Sequence, residues 1–173
     1  NLRMILEYAE RYYEPSEAFQ PRLVDGVRLS DDEKALLNKL QEATAILQFK
    51  LESQLIKRRP DFQLEHRDVL HFIDFSEKTI KLGTEVYELT DFQAPTVNPE
   101  QPESLTAEEE KIISHLLNNF RSSDKLKRHV EFLQEKGAMY LSYNGNLLIH
   151  GCLPLHENGD FKSFTVNKEA HAG

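Results

Sequence analysis

The sequence predicts an α+β protein, and three patterns support this prediction. Apolar residues recur every three or four positions in several long stretches, which is typical of amphipathic helices. Residues 79–89 alternate between apolar and polar side chains, which predicts a small antiparallel hairpin. Asn144-Gly145 separates two apolar and aromatic runs, and this dipeptide is the strongest short-range signal of a two-residue hairpin turn.

Length and composition exclude several classes of protein. The chain has 173 residues, of which 39% are hydrophobic, so it is long enough to bury a core. Its formal net charge of −8 argues against nucleic-acid binding, since neutralising phosphates requires clustered Lys and Arg. No run approaches the length of a membrane span, and the single cysteine, Cys152, fits a reducing cytosol. We therefore expect a cytoplasmic protein that binds neither nucleic acid nor a membrane.

Residues 1–29 are predicted to contain one helix and an ordered connection. Leu2, Ile5, Leu6 and Ala9 fall on one helical face, and Pro15 ends this helix.

The longest predicted helix begins at Ser30, which forms a capping-box pattern with Glu33. Cations at 57–59 oppose the helix dipole at the carboxyl end, and Pro60 terminates the helix. One continuous apolar stripe runs along it and must pack against other residues: Leu36, Leu40, Ala43, Leu47, Leu51 and Leu55.

From residue 68 onwards the pattern changes to strands and extended chain. Residues 69–75 are mostly apolar, residues 79–89 form the predicted hairpin, and three prolines exclude a helix from residues 90–104. Thr106 and Glu109 then form a second capping box. Five residues of the helix that follows should face inward: Ile112, Ile113, Leu116, Leu117 and Phe120. Ser122 or Ser123 caps one more helix, with Leu126, Val130 and Leu133 inward.

The stretch 138–161, AMYLSYNGNLLIHGCLPLHENGDF, carries the candidate functional residue. Residues 147–149 are apolar at every position, as in a strand that is covered on both faces. His150 stands where this strand ends, and the following Gly151 allows a backbone or ligand to approach closely. A neutral imidazole in this place is either a metal ligand or a hydrogen-bonded structural residue, and the chemistry alone leaves both interpretations open.

The same stretch resembles a known family. YNGNLLIHGCLPLHENGDF is similar to the motif N-N-L-L-I-H-G-C-I-P-L-D-E-N-G of the class III fructose-1,6-bisphosphatases of Firmicutes and Bacteroidetes. APTVNPEQP, from residue 94, resembles the family's A-T-V-N-P-E-x-P. Residues 105–137 resemble its L-T-x-E-E-E-K helix and the following R-H-x-x-F-L-x-x-K-G, so the resemblance covers most of the chain.

The resemblance implies a metallophosphatase with a calcineurin-like core. Such an enzyme hydrolyses the 1-phosphate of fructose 1,6-bisphosphate in gluconeogenesis, giving fructose 6-phosphate and inorganic phosphate. Two metal ions activate a bridging water, and Mn²⁺ suits the mixed imidazole and carboxylate ligands. In calcineurin-like enzymes an H-G pair after a buried strand supplies a metal ligand. The resemblance therefore implies that His150 is a metal ligand. It assigns no acid or base catalyst in this chain.

The resemblance also predicts how the chain is organised. Residues 1–29 and 137–173 should belong to the phosphatase core, and residues 30–136 should form a mostly helical insertion that carries the small hairpin. The signatures D-x-H-G, G-D-x-x-D-R-G and G-N-H-E, which the family carries upstream, are absent from this sequence. We therefore expect an internal fragment that is inactive alone, because its remaining metal ligands lie outside it.

Two other functions stay open. Residues 36–55 could form the seam of a non-catalytic helical interaction module, which would make the protein a homo-oligomer. Another metallophosphoesterase is the second alternative. Protein serine/threonine phosphatases have H-G-G-x-S-P where this chain has HGCLP, which weakens that interpretation. Should the isolated chain be active, four residues are the first candidates for its site: His66, Asp68, His71 and Asp74.

Overall fold

The computed structural model describes residues 2–20, 26, 28–138, 140–149, 151 and 154–172. The chain divides into two compact units, Asn1–Leu116 and Leu117–Gly173. The described residues form helices and small antiparallel sheets, which confirms the α+β class. The division into a phosphatase core and an insertion at 30–136 refers to a larger protein and stays a prediction. Among the helices of the described residues, none has the length and apolar character needed to cross a membrane.

The first unit is built around three helices. Helix α1 spans Leu2–Tyr12, α2 spans Asp31–Arg58, and α3, which spans Ala107–Arg121, begins in this unit. Their buried core consists of Tyr8, Ala9, Tyr13, Ala43, Ile46, Leu47 and Ile112. Two residues of the predicted apolar stripe of α2, Ala43 and Leu47, therefore lie in the core together with Ile46, whereas Leu55 at the end of the stripe is 40% exposed.

Both predicted capping boxes are present. The Ser30 hydroxyl accepts a hydrogen bond from the Glu33 amide at 3.3 Å, and the Glu33 carboxylate accepts one from the Ser30 amide at 2.8 Å. At the start of α3, the Glu109 amide donates to the Thr106 hydroxyl at 3.2 Å and the Thr106 amide donates to the Glu109 carboxylate at 2.7 Å. Free backbone amides at both helix starts are therefore satisfied.

Ser30→Ala is expected to lower the free energy of unfolding by about 1 kcal/mol, because it removes the side-chain acceptor at the start of α2. Thr44→Ala is a suitable control. Its hydroxyl is exposed and bonds only to carbonyl oxygens of the same helix, those of Leu40 and Gln41. Urea unfolding curves of both variants check this prediction, and equal losses of stability in the two would contradict it.

The small sheet of the first unit has the antiparallel order β1-β2-β3, with β1 at Ile73–Asp74, β2 at Thr79–Leu82 and β3 at Glu85–Glu88. Ile80 pairs with Tyr87, which confirms the predicted hairpin. The apolar stretch before it is mostly not strand, since Val69–Phe72 is a 3-10 helix. That turn places Leu70, only 1% exposed, in the interior.

The second unit contains helix α4 at Asp124–Lys136 and two separate two-stranded antiparallel sheets. The first pairs β4, Tyr140–Tyr143, with β5, Asn146–Ile149. The second pairs β6, Phe164–Val166, with β7, Glu169–His171. Ser123 caps α4, because its hydroxyl accepts a hydrogen bond from the Leu126 amide at 3.3 Å.

Several residues that were predicted to be buried are exposed in this chain. Strand β5 was expected to be covered on both faces, but Leu147, Leu148 and Ile149 are 63%, 55% and 42% exposed. The reason is that β5 belongs to a two-stranded ribbon. Four helical residues expected to face inward are also exposed: Leu117, Phe120, Val130 and Leu133. Apolar periodicity identifies the face that can be buried, whereas burial itself needs a partner element.

Candidate functional site

The β4–β5 hairpin leads directly to the candidate metal ligand. Asn144 and Gly145 have φ angles of 50° and 73°, as a type I′ turn requires, so the predicted Asn-Gly turn is confirmed. Tyr140 pairs with Ile149, which is the last residue of β5. His150 itself lies outside the described residues, together with Cys152 and Leu153. Its role as a metal ligand therefore stays a prediction.

Gly151 is required by its backbone conformation. Its φ of 91° lies in a region that residues with a side chain rarely adopt. A Cβ atom added here would meet no described atom within 4 Å, so within the described part of the chain the backbone conformation, and not close packing, accounts for this glycine. The backbone after position 150 thus turns in a way that glycine allows at little cost.

An open cleft in the first unit brings together three of the four residues considered for an alternative site. His66, His71 and Asp74 line this cleft, which has a volume of about 1140 Å³. The fourth, Asp68, lies beside it, with its Oδ1 2.9 Å from His71 Nδ1. Glu103 Oε2 lies 3.6 Å from the other ring nitrogen of His71. Nevertheless, within the described part of the chain no group of three or more His, Cys, Asp or Glu side chains could hold a metal ion.

Two carboxylates, Asp74 in the cleft and Glu103 beside it, already accept hydrogen bonds. Asp74 Oδ1 accepts hydrogen bonds from the Ser76 hydroxyl and from the amides of Ser76 and Glu77, which lower the pKa of Asp74. A hydrogen bond from Lys57 likewise lowers the pKa of Glu103. These carboxylates therefore serve a turn and an ion pair, and their lowered pKa values make both of them weaker bases.

Ser53, His71 and Asp68 do not form a catalytic triad. A triad needs the hydroxyl on one ring nitrogen of the histidine and the carboxylate on the other. Here the Ser53 hydroxyl, at 3.3 Å, and the Asp68 carboxylate, at 2.9 Å, both lie against Nδ1 of His71. Proton relay from the serine through the ring to the aspartate is therefore excluded by this geometry.

A buried ion pair lies at the centre of the first unit. Lys50 and Glu109 have fully buried side chains, and the Lys50 ammonium donates to both carboxylate oxygens at 2.8 and 3.0 Å. Its third hydrogen bond goes to the Thr96 carbonyl oxygen at 2.7 Å. Glu109 also accepts a hydrogen bond from the Tyr8 hydroxyl at 2.6 Å. The cluster therefore joins α1, α2, α3 and the proline-rich segment at 94–102.

Electrostatics hold this cluster in one protonation state. Burial and the hydrogen bond to Glu109 raise the pKa of Tyr8, so the phenol remains a donor. Burial alone would raise the pKa of Glu109, but the hydrogen bonds from Lys50 and Tyr8 outweigh it and lower that pKa below its usual value. With all three ammonium hydrogens engaged, Lys50 cannot act as a nucleophile, and the cluster is structural.

Sequence reasoning identified Glu109 only as a capping residue and missed Lys50. The available signal was helical spacing, since Lys50 follows the core residues Ile46 and Leu47 by four and three positions. A lysine on the buried face of a helix needs an acidic partner.

The chain is similar to known proteins over its whole length. Residues 1–173 match the family described as Firmicute fructose-1,6-bisphosphatase. The chain is 99% identical over 173 residues to the fructose-1,6-bisphosphatase class 3 of Lactococcus lactis subsp. lactis and 84% identical to that of Lactococcus lactis subsp. cremoris. It is 47% identical over 174 aligned residues to the protein of the same name from Streptococcus agalactiae. In each case all of this chain is covered, but it spans only 27% of the relative's length. No solved structure shows a significant match.

Proposed function

Because this chain belongs to the Firmicute fructose-1,6-bisphosphatase family, which it matches over residues 1–173, we propose that it is part of an enzyme of gluconeogenesis. That enzyme hydrolyses fructose 1,6-bisphosphate to fructose 6-phosphate and inorganic phosphate. The observation that carries the proposal is this match, together with the 99% identity to a protein named fructose-1,6-bisphosphatase class 3. The substrate is accordingly a small sugar bisphosphate.

This chain contributes only part of the proposed metal site. The described residues contain no group of three or more His, Cys, Asp or Glu side chains that could hold a metal ion. The proposal for a manganese centre of calcineurin-like type therefore rests on family resemblance, with His150 as the one ligand that this chain supplies. Support comes from the position of His150, directly after the last residue of β5. Side chains held by regular secondary structure are positioned more precisely than side chains on loops.

We also propose a cytoplasmic location for the protein. The chain contains a single cysteine, which supports a cytoplasmic location because reducing compartments do not favour disulfides. Use of Ala43, Ile46 and Leu47 inside the core weakens the alternative of a helical interaction module, since a seam requires these positions to be free. A homo-oligomer stays a prediction that measurement of molecular mass in solution would test.

The isolated 173-residue chain is expected to release no phosphate from fructose 1,6-bisphosphate with Mn²⁺ added, and to retain no metal after dialysis. A single imidazole binds Mn²⁺ weakly, because affinity depends on several ligands that the fold holds in place. Phosphate release and metal content should be measured beside the complete enzyme as the active control.

Turnover by the isolated chain would contradict this expectation. If the His150→Ala form of the same chain were then inactive, the site would have to include residues of the described cleft. His66 and His71 would be the first to replace.

A further inference from the structure

Glu42, in the middle of α2, is a buried carboxyl group that has no counterion in the part of the chain that the structure describes. Its side chain is 0% exposed. One oxygen, Oε1, accepts a hydrogen bond from the Gln93 amide at 3.1 Å. The other, Oε2, is buried and has no hydrogen-bond partner among the described residues. A charged carboxylate in this place would be poorly solvated, because only one of its oxygens is bound.

Burial and a nearby negative charge oppose the ionisation of Glu42 more strongly than the Gln93 amide favours it. Asp91, two residues before Gln93, accepts hydrogen bonds from the Ser16 hydroxyl at 2.8 Å and the Glu17 amide at 2.6 Å. Its negative charge is therefore fixed near Glu42 and repels a second one. Burial, and to a smaller extent Asp91, raise the pKa of Glu42 to about 7, even though the hydrogen bond from the Gln93 amide acts in the opposite direction.

Among the described residues, the remaining neighbours of Glu42 supply no free cation. From the end of α1, the Tyr13 phenol faces Glu42, and its pKa is raised mainly by burial. Lys39, one turn earlier on α2, lies 3.4 Å from the Glu14 carboxylate, and Lys50, two turns later, is fully bound to Glu109 and Thr96.

The segment that Glu42 holds is also held at a second place. Gln93 binds Glu42, while three residues later the Thr96 carbonyl oxygen accepts a hydrogen bond from Lys50 and the Thr96 hydroxyl lies 3.2 Å from the Tyr8 phenol oxygen. Phe92, Ala94 and Val97 of the same segment pack against the core. The attachment at Thr96 is thus to a charged cluster whose protonation is fixed. The attachment at Gln93 is to the Glu42 carboxyl group, which can gain or lose a proton.

We propose that Glu42 is a proton-sensitive latch, which holds residues 91–97 against α2 while its carboxyl group is neutral and loosens them when it ionises. This device is independent of the proposed catalytic function. The attachment weakens with rising pH because the folded form binds the Glu42 proton more tightly than the unfolded form does. The stabilisation is complete below about pH 4.5, the ordinary value for the group, and is lost as the pH rises through about 7.

Hydrogen exchange of the Gln93 amide tests the latch directly, because this amide donates to Glu42. After correction for the intrinsic exchange rate, its protection factor is expected to fall at least about tenfold between pH 5.5 and pH 8. In Glu42→Gln the protection factor should change less than twofold over the same range. The control variant Glu10→Gln, at an exposed position of α1, should behave like the unchanged protein.

A pH-independent protection factor in the unchanged protein would overturn the proposal, and so would a full pH dependence in Glu42→Gln. Should Glu42→Gln not fold, the carboxyl ¹³C shift of Glu42 in the unchanged protein decides. A shift that moves between pH 5.5 and pH 8 supports the latch, and one that shows an ionised group already at pH 5.5 overturns it.

Discussion

Replacing His150 by alanine in the complete enzyme is expected to lower the rate of fructose 1,6-bisphosphate hydrolysis at least about 100-fold. Loss of groups that merely orient metal ligands costs about 10- to 100-fold in activity or affinity, and loss of a ligand itself should cost no less. The fold should persist, because the neighbouring β5 is held by its pairing with β4. Activity, bound manganese and thermal unfolding should be measured on the same preparation.

The matched control for this experiment is His129→Ala. His129 is an exposed residue of α4, so its loss should leave activity and metal content unchanged. A His150→Ala enzyme with full activity and an undiminished metal content would show that the ligand assignment is wrong.

Lys50→Met is expected to lower the free energy of unfolding by about 3–5 kcal/mol, because it leaves the buried Glu109 carboxylate without its cation. The control is Lys57→Met on the same helix. Lys57 pairs with Glu103 at 2.6 Å, but its side chain is 49% exposed, so its loss should cost less than about 1 kcal/mol. Denaturant unfolding of the two variants compares the loss of the buried ion pair with the loss of the exposed one. Similar decreases in the free energy of unfolding would contradict the prediction.

A double variant tests whether unpaired charge is the cause. In Lys50→Met with Glu109→Gln no charge remains, while the glutamine oxygen can still accept from Tyr8. The double variant should therefore be more stable than Lys50→Met alone, which would not occur if lost packing of the lysine stem were responsible. Since the pKa of Glu109 is lowered in the folded protein, the stabilisation by the pair is present above about pH 4.5 and is lost in stronger acid.

Local signals of the sequence predicted local structure well. The capping boxes at Ser30 and Thr106 depend on residues three positions apart, and the Asn144-Gly145 turn depends on adjacent residues. Such features need no knowledge of the tertiary structure, so they can be recognised in one sequence.

Features that depend on distant residues were predicted poorly. An apolar run at 147–149 indicated a covered strand, but the number of strands beside it cannot be derived from that run. The Lys50–Glu109 pair joins residues 59 positions apart, and no spacing rule connects them. For the candidate site, the sequence identified His150, whereas the cleft containing His66 and His71 became visible only through the fold.

The Lys50–Glu109–Tyr8 cluster also constrains the order in which the chain can fold. Glu109 binds residues that precede it by 59 and 101 positions, so the ends of long loops must meet before the cluster closes. Contacts of such separation slow folding. During synthesis, α1 and α2 emerge before Glu109 exists, and until then Lys50 has no acidic partner to accompany it into the interior. The first unit should accordingly reach its final packing only after α3 has left the ribosome.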